Sequence, residues 1–124
     1  MITAMHNRSD DPPSKLSSRR DLKRFPQPVR RDMGKALYAA QRGETDPAAK
    51  PMRGFGGTRV MEIVDLHDTN TYRAMYTAQF GEAIYVLHAF QKKSNRGIAT
   101  PAREIELVRR RLADAERIHR QRQP

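Results

Sequence analysis

The stretch from Val60 to Gln91 constrains the fold more than any other part of this chain. It holds three runs rich in β-branched, aromatic and other apolar residues, about Val60–His67, Thr71–Phe80 and Ala83–Gln91. Only Asp68-Thr69-Asn70 and Gly81-Glu82 separate them. A parallel crossover needs about a dozen residues or more, so links this short force antiparallel hairpins. In the third run both alternating sets, Ile84/Val86/His88/Phe90 and Tyr85/Leu87/Ala89, are mostly apolar. Such a strand has to be covered on both faces, which places it centrally.

Helical spacing appears on either side of these strands. Val29, Met33, Ala36, Leu37 and Ala40 form one stripe in a helix that starts near Pro28, and Gly43 is placed to end it in a left-handed conformation. Before it, Ser17 or Ser18 can cap a short turn through Arg19-Arg20-Asp21-Leu22-Lys23, which Phe25-Pro26-Gln27-Pro28 interrupts. After the strands, Thr100 is expected to cap a final helix, with Pro101 at its first position. Ile105, Val108, Leu112 and Ala115 would dock that helix, leaving Arg103, Arg109, Arg110, Arg111, Arg117 and Arg120 mostly on solvated faces. The segment Glu44–Thr58, with Pro47, Pro51, Gly54, Gly56 and Gly57, reads as a long loop carrying Lys50 and Arg53. Residues 1–17 lack either periodicity and read as a flexible lead-in to one domain over residues 18–120. The element order describes a small α+β domain with an antiparallel sheet of three or more strands.

Charge narrows the partners. The chain carries 24 Lys+Arg against 14 Asp+Glu, a net +10, and this points to phosphate-rich partners. Residues 36–95 hold seven basic and six acidic side chains, so the surplus sits at the two ends of a nearly neutral core. Cysteine is absent, which excludes disulfides and Cys-ligated zinc and suits a reducing cytosol. His6, His67, His88 and His119 are scattered without metal-ligand spacing, and no cofactor is expected. No stretch approaches the roughly 18 apolar residues of a membrane span, and the N-terminus lacks the apolar core of a signal peptide. A cytoplasmic protein without membrane association is the expectation. The glycines at 54, 56 and 57 precede a strand, whereas a nucleotide-binding fingerprint follows one.

Five segments then occur in order: Pro28-Val29-Arg30-Arg31 leading to Leu37-Tyr38-Ala39-Ala40-Gln41-Arg42-Gly43; Ala49-Lys50-Pro51-Met52-Arg53-Gly54-Phe55-Gly56-Gly57; Tyr72-Arg73-Ala74-Met75-Tyr76; Val86-Leu87-His88-Ala89-Phe90-Gln91-Lys92-Lys93-Ser94; and Gly97-Ile98-Ala99-Thr100-Pro101. Together, over roughly Ser17 to Arg117, they resemble the RelE/ParE toxin superfamily and within it the phage-type HigB-like branch. The resemblance implies a RelE-like domain and the toxin of a type II toxin–antitoxin pair. It further implies cleavage of mRNA on the translating ribosome without metal, by the substrate's own ribose 2′-OH, and an antitoxin partner with a helix-turn-helix domain. Where such proteins open with an apolar strand, this chain reads Asp11-Pro12-Pro13-Ser14-Lys15-Leu16, which would leave one sheet edge bare.

Position by position, the resemblance makes Arg73, Lys92 and Lys93 the catalytic cations, with Arg73 and one of Lys92 or Lys93 clamping the scissile phosphate and the other lysine holding the neighbouring phosphates. Lys50, Arg53, Tyr76 and Arg96 are the expected RNA-binding residues. His88 is a candidate acid or base, since histidine titrates near neutrality, although strict alternation sets it beside Val86 and Phe90. Each residue has a structural alternative. Arg73 could pair with Glu62 or Asp65 across the hairpin, Lys92 and Lys93 could be solvated strand-end charges, Tyr76 could pack in the core, and His88 could be a hydrogen-bonded core histidine. Two other functions fit the same residues: a ParE-like gyrase poison, and a non-catalytic remnant that binds RNA or antitoxin.

Overall fold

The computed structural model describes residues 3–4, 16–57, 60–80, 83–92 and 100–122. In chain order these form β1 (Thr3–Ala4), α1 (Leu16–Lys23), α2 (Gln27–Gln41), β2 (Ala49–Pro51), β3 (Met61–His67), β4 (Asn70–Phe80), β5 (Ala83–Lys92) and α3 (Ala102–Arg122). The five strands make one sheet in the order β1-β5-β4-β3-β2, with every neighbouring pair antiparallel. This is the expected α+β architecture of a small RelE-like domain. No helix among the described residues is long and apolar enough to cross a membrane.

Two cores sandwich the sheet. On one face, Val29, Met33, Leu37 and Ala40 of α2 meet Ile63, Tyr72, Tyr76 and Val86. On the other, Val108, Leu112 and Ala115 of α3 meet Met75, Tyr85 and Leu87, with Met52 and Phe55 closing the edge. The apolar character of both faces of β5 is thereby explained, since each face lies under a different helix. At roughly 1.5–3 kcal/mol for each large apolar side chain taken out of water, these two seams supply the main force holding the layers together.

Local signals set the element ends. Arg42 closes α2, Gly43 follows at φ 78°, and Glu44 N–H and Gly43 N–H donate to Ala39 O and Ala40 O at 2.8 and 3.0 Å. That pattern satisfies the last carbonyls of the helix and uses the conformation glycine adopts without strain. The β3–β4 hairpin pairs His67 with Asn70, leaving Asp68 and Thr69 as a two-residue turn with φ of 50° and 65°. Positive φ at both positions matches the right-handed strand twist.

Five features differ from the sequence reading. Ser17 and Ser18, expected as caps, lie inside α1, which begins at Leu16. The loop over Glu44–Thr58 contains β2, whose residues pair with Ile63, Glu62 and Met61. The two residues of β1 pair with Val86 and Tyr85, so the sheet edge next to β5 carries a short strand. Thr100 does not serve as the expected cap: Pro101 O is the first carbonyl to accept a helical bond, from Ile105 N at 3.2 Å, while the Thr100 hydroxyl donates to Glu62. Finally, the β4–β5 register jumps from Met75↔His88 to Tyr76↔Val86, leaving Leu87 as the extra residue of a β-bulge. Strict alternation fails there, so His88 shares the α3 face with Leu87 and Phe90, and Val86 faces α2.

Candidate functional site

Strand register lines up residues of the α3 face in rows. Lys50, Glu62, Met75 and His88 form one row across β2, β3, β4 and β5; Val64, Arg73 and Phe90 form the next; Leu66, Thr71 and Lys92 form a third. At the β2 end of the first row a cleft of about 500 Å³ opens, lined by Lys50, Pro51, Met52, Arg53, Glu62, Thr100 and Ile105. Lys50 and Arg53 are exposed, and Glu62 is the cleft's carboxylate. Its Oε2 accepts from Arg73 Nη1 and from Thr100 Oγ1, each at 2.9 Å. Arg73 itself is 5% exposed, so its charge is compensated inside the protein by Glu62.

The turn that carries Arg53 is held from α3. Gly54, Gly56 and Gly57 take φ of 90°, 79° and 58°, a backbone with few intrinsic restraints. Arg109 supplies the restraint: its Nη1 donates to Gly54 O at 3.2 Å, and its guanidinium lies 4.8 Å from the centre of the buried Phe55 ring. Met52 N–H donates to Val60 O at 2.8 Å and ties the other side of the turn to the sheet. The two cations of the cleft thus stand on a strand and on a clamped turn.

A second cleft, of about 300 Å³, lies on the other side of the start of α3. Asp21, Arg24, Phe25, His88, Ala89, Phe90, Gln91 and Glu104 line it. His88 is 7% exposed and stacks on Phe90, with ring centres 5.3 Å apart. Arg111 Nη1 lies 3.1 Å from His88 Nδ1 and also donates to Leu87 O, at the bulge, at 3.0 Å. An arginine can only donate, so Nδ1 accepts, and Nε2 carries the proton toward Glu104 Oε2 at 3.1 Å. Burial, followed by the Arg111 charge, pushes the imidazole below its ordinary value against the pull of Glu104. The neutral ring holds β5 to α3.

Residues 20–113 match the family model described as phage-derived protein Gp49-like (DUF891). The chain belongs to the Gp49-like family. That family is associated with RelE/ParE-like toxins, and membership is consistent with a toxin of a toxin–antitoxin pair, for which an antitoxin is the suggested partner. No curated protein and no solved structure matches the chain.

In this Gp49-like protein the expected site residues separate into groups. Lys50 and Arg53 come together in the larger cleft. Arg73 stands behind Glu62 in the arrangement of the cross-strand ion pair, and is not among the residues lining that cleft. Lys92, half-buried opposite Thr71, ends β5 two rows from Lys50. Lys93 and Arg96 lie outside the described residues. Tyr76 is 2% exposed within the α2-side core, which leaves no ring face for stacking on a base. His88 takes the form of a hydrogen-bonded core histidine. Two residues of the site, Glu62 and Arg109, exceed what the sequence alone assigns them, a partner for Arg73 and a place on a solvated helix face. The isolated acid in Met61-Glu62-Ile63 was a signal for the first; nothing local marked the second.

Proposed function

We propose that this protein is the toxin of a type II toxin–antitoxin pair and cuts mRNA on the translating ribosome without a metal. Its antitoxin partner would carry a helix-turn-helix domain, and both would act in the cytoplasm. The observation carrying this reading is the open cleft in which Lys50 and Arg53 stand beside a fixed carboxylate. Exposed cations on rigid supports hold a phosphodiester by its anionic oxygens and stabilise the added charge of a phosphorane-like transition state. In this reading Lys92, Lys93 and Arg96 supply further cations for the scissile and neighbouring phosphates. Arg73 acts from behind, through Glu62.

The test is induced expression followed by primer extension on a defined mRNA, with and without translating ribosomes. Wild type is expected to cut only when ribosomes are present. Lys50→Ala/Arg53→Ala should cut slower by on the order of 10²-fold or more with an unchanged melting temperature, since both side chains are exposed. Intact mRNA with DNA damage would replace this reading with gyrase poisoning. Tight, salt-sensitive RNA binding without cleavage would mark a non-catalytic protein.

A further inference from the structure

Nucleophilic attack by a ribose 2′-OH needs a group that takes its proton, and Lys50 and Arg53 cannot serve while they hold phosphate as cations. Glu62 lines the same cleft as these two and is the direct cross-strand neighbour of Lys50. Its side chain is 17% exposed, enough to be reached from the cleft, whereas that of Arg73 is 6% exposed. Both hydrogen bonds on Glu62 fall on one oxygen, Oε2. Among the described residues no other partner takes Oε1, which leaves that oxygen for a third donor.

Building on the ribonuclease reading, we infer that Glu62 is the general base of the cleft, with Arg73 and Thr100 as its positioning residues. The 2′-hydroxyl proton passes to Glu62 Oε1 as the 2′-oxygen bonds to phosphorus. The P–O5′ bond then breaks, leaving a 2′,3′-cyclic phosphate, and the 5′-oxygen takes a proton from water in the open cleft. Glu62 returns its proton to solvent. The ion pair with Arg73 fixes the carboxylate's direction. Buried Arg73 therefore orients the base, a role for which a cation without access to the cleft is suited.

Glu62→Gln keeps an amide oxygen for Arg73 and Thr100 and removes the proton acceptor. In the ribosome-dependent cleavage assay it should cut about 10²- to 10⁴-fold more slowly, with ribosome binding little changed and with the acid limb of the wild-type pH–rate profile abolished. Glu62→Asp should restore part of the rate and the limb. A Gln variant that cuts at the wild-type rate, or that is slow but keeps the acid limb, overturns the assignment while the ribonuclease reading stands. Should the Gln variant fail to fold, wild type alone decides: a profile without an acid limb overturns the assignment. Absence of cleavage by wild type itself would overturn both readings.

Discussion

Thr69 places a β-branched side chain at φ 65°, in a turn whose second position favours glycine. The strain is local, so Thr69→Gly should stabilise the protein by about 1 kcal/mol, read as a rise in the urea midpoint at unchanged slope. Arg73 is the opposite case, a residue whose removal reaches far. Its side chain is 6% exposed and its pairing with Glu62 compensates a charge inside the protein. Removing one partner of such a pair costs about 3–5 kcal/mol because the other is left uncompensated. Arg73→Ala should therefore lose activity together with melting temperature, whereas Lys50→Ala/Arg53→Ala should lose activity alone. Measuring both quantities for both variants separates a residue that supports the site from residues that touch its ligand.

Among the elements, α3 is the one that joins the sheet to the cleft. Its apolar stripe of Val108, Leu112 and Ala115 was legible from spacing, and its arginines looked like a solvated face. Two of them do more: Arg111 caps the β5 bulge through Leu87 O, and Arg109 clamps the 53–57 turn through Gly54 O and the Phe55 ring. Because Arg109 is exposed and its bonds are to a loop, Arg109→Ala should cost less than about 1 kcal/mol of global stability. It should instead speed hydrogen exchange of the amides in residues 53–57 and lower cleavage, with Arg109→Lys failing to rescue because an ammonium cannot both stack on Phe55 and reach the carbonyl in one plane. Equal exchange in wild type and variant would remove the clamp from the account.

Over the whole molecule, packing of the layers perturbs a carboxyl far from the cleft. Asp65 of β3 is pushed up from 3.8 to about 6, first by burial and then by a hydrogen bond and charge from Asp32 of α2. The native state thus holds a proton that the unfolded chain releases earlier, so this contribution to stability is complete below pH 3.8 and is lost as pH rises through about 6. His88 acts in the other direction: its lowered value makes native stability fall as the solution becomes acidic enough to protonate the unfolded imidazole. The difference in melting temperature between Asp65→Asn and wild type should therefore grow from about pH 4 to about pH 6 and then level, with the variant the more stable of the two at neutral pH. The sequence by itself determined the three hairpin-linked strands, the two docking helices, the glycine that ends α2, and the placement of surplus charge at the chain ends. Those properties are local: side-chain period, turn length and backbone preference act between residues close in the chain. Only the tertiary structure decided that His88 turns to α3, because one extra residue in β5 reverses the alternation, and that β2 forms at all, because its three residues have a partner only in β3. It also decided that Arg73 meets Glu62 and Thr100, and that Arg109 reaches Gly54. These contacts join residues 11 to 55 positions apart, and they exist only after burial of two apolar seams has fixed the layers against each other.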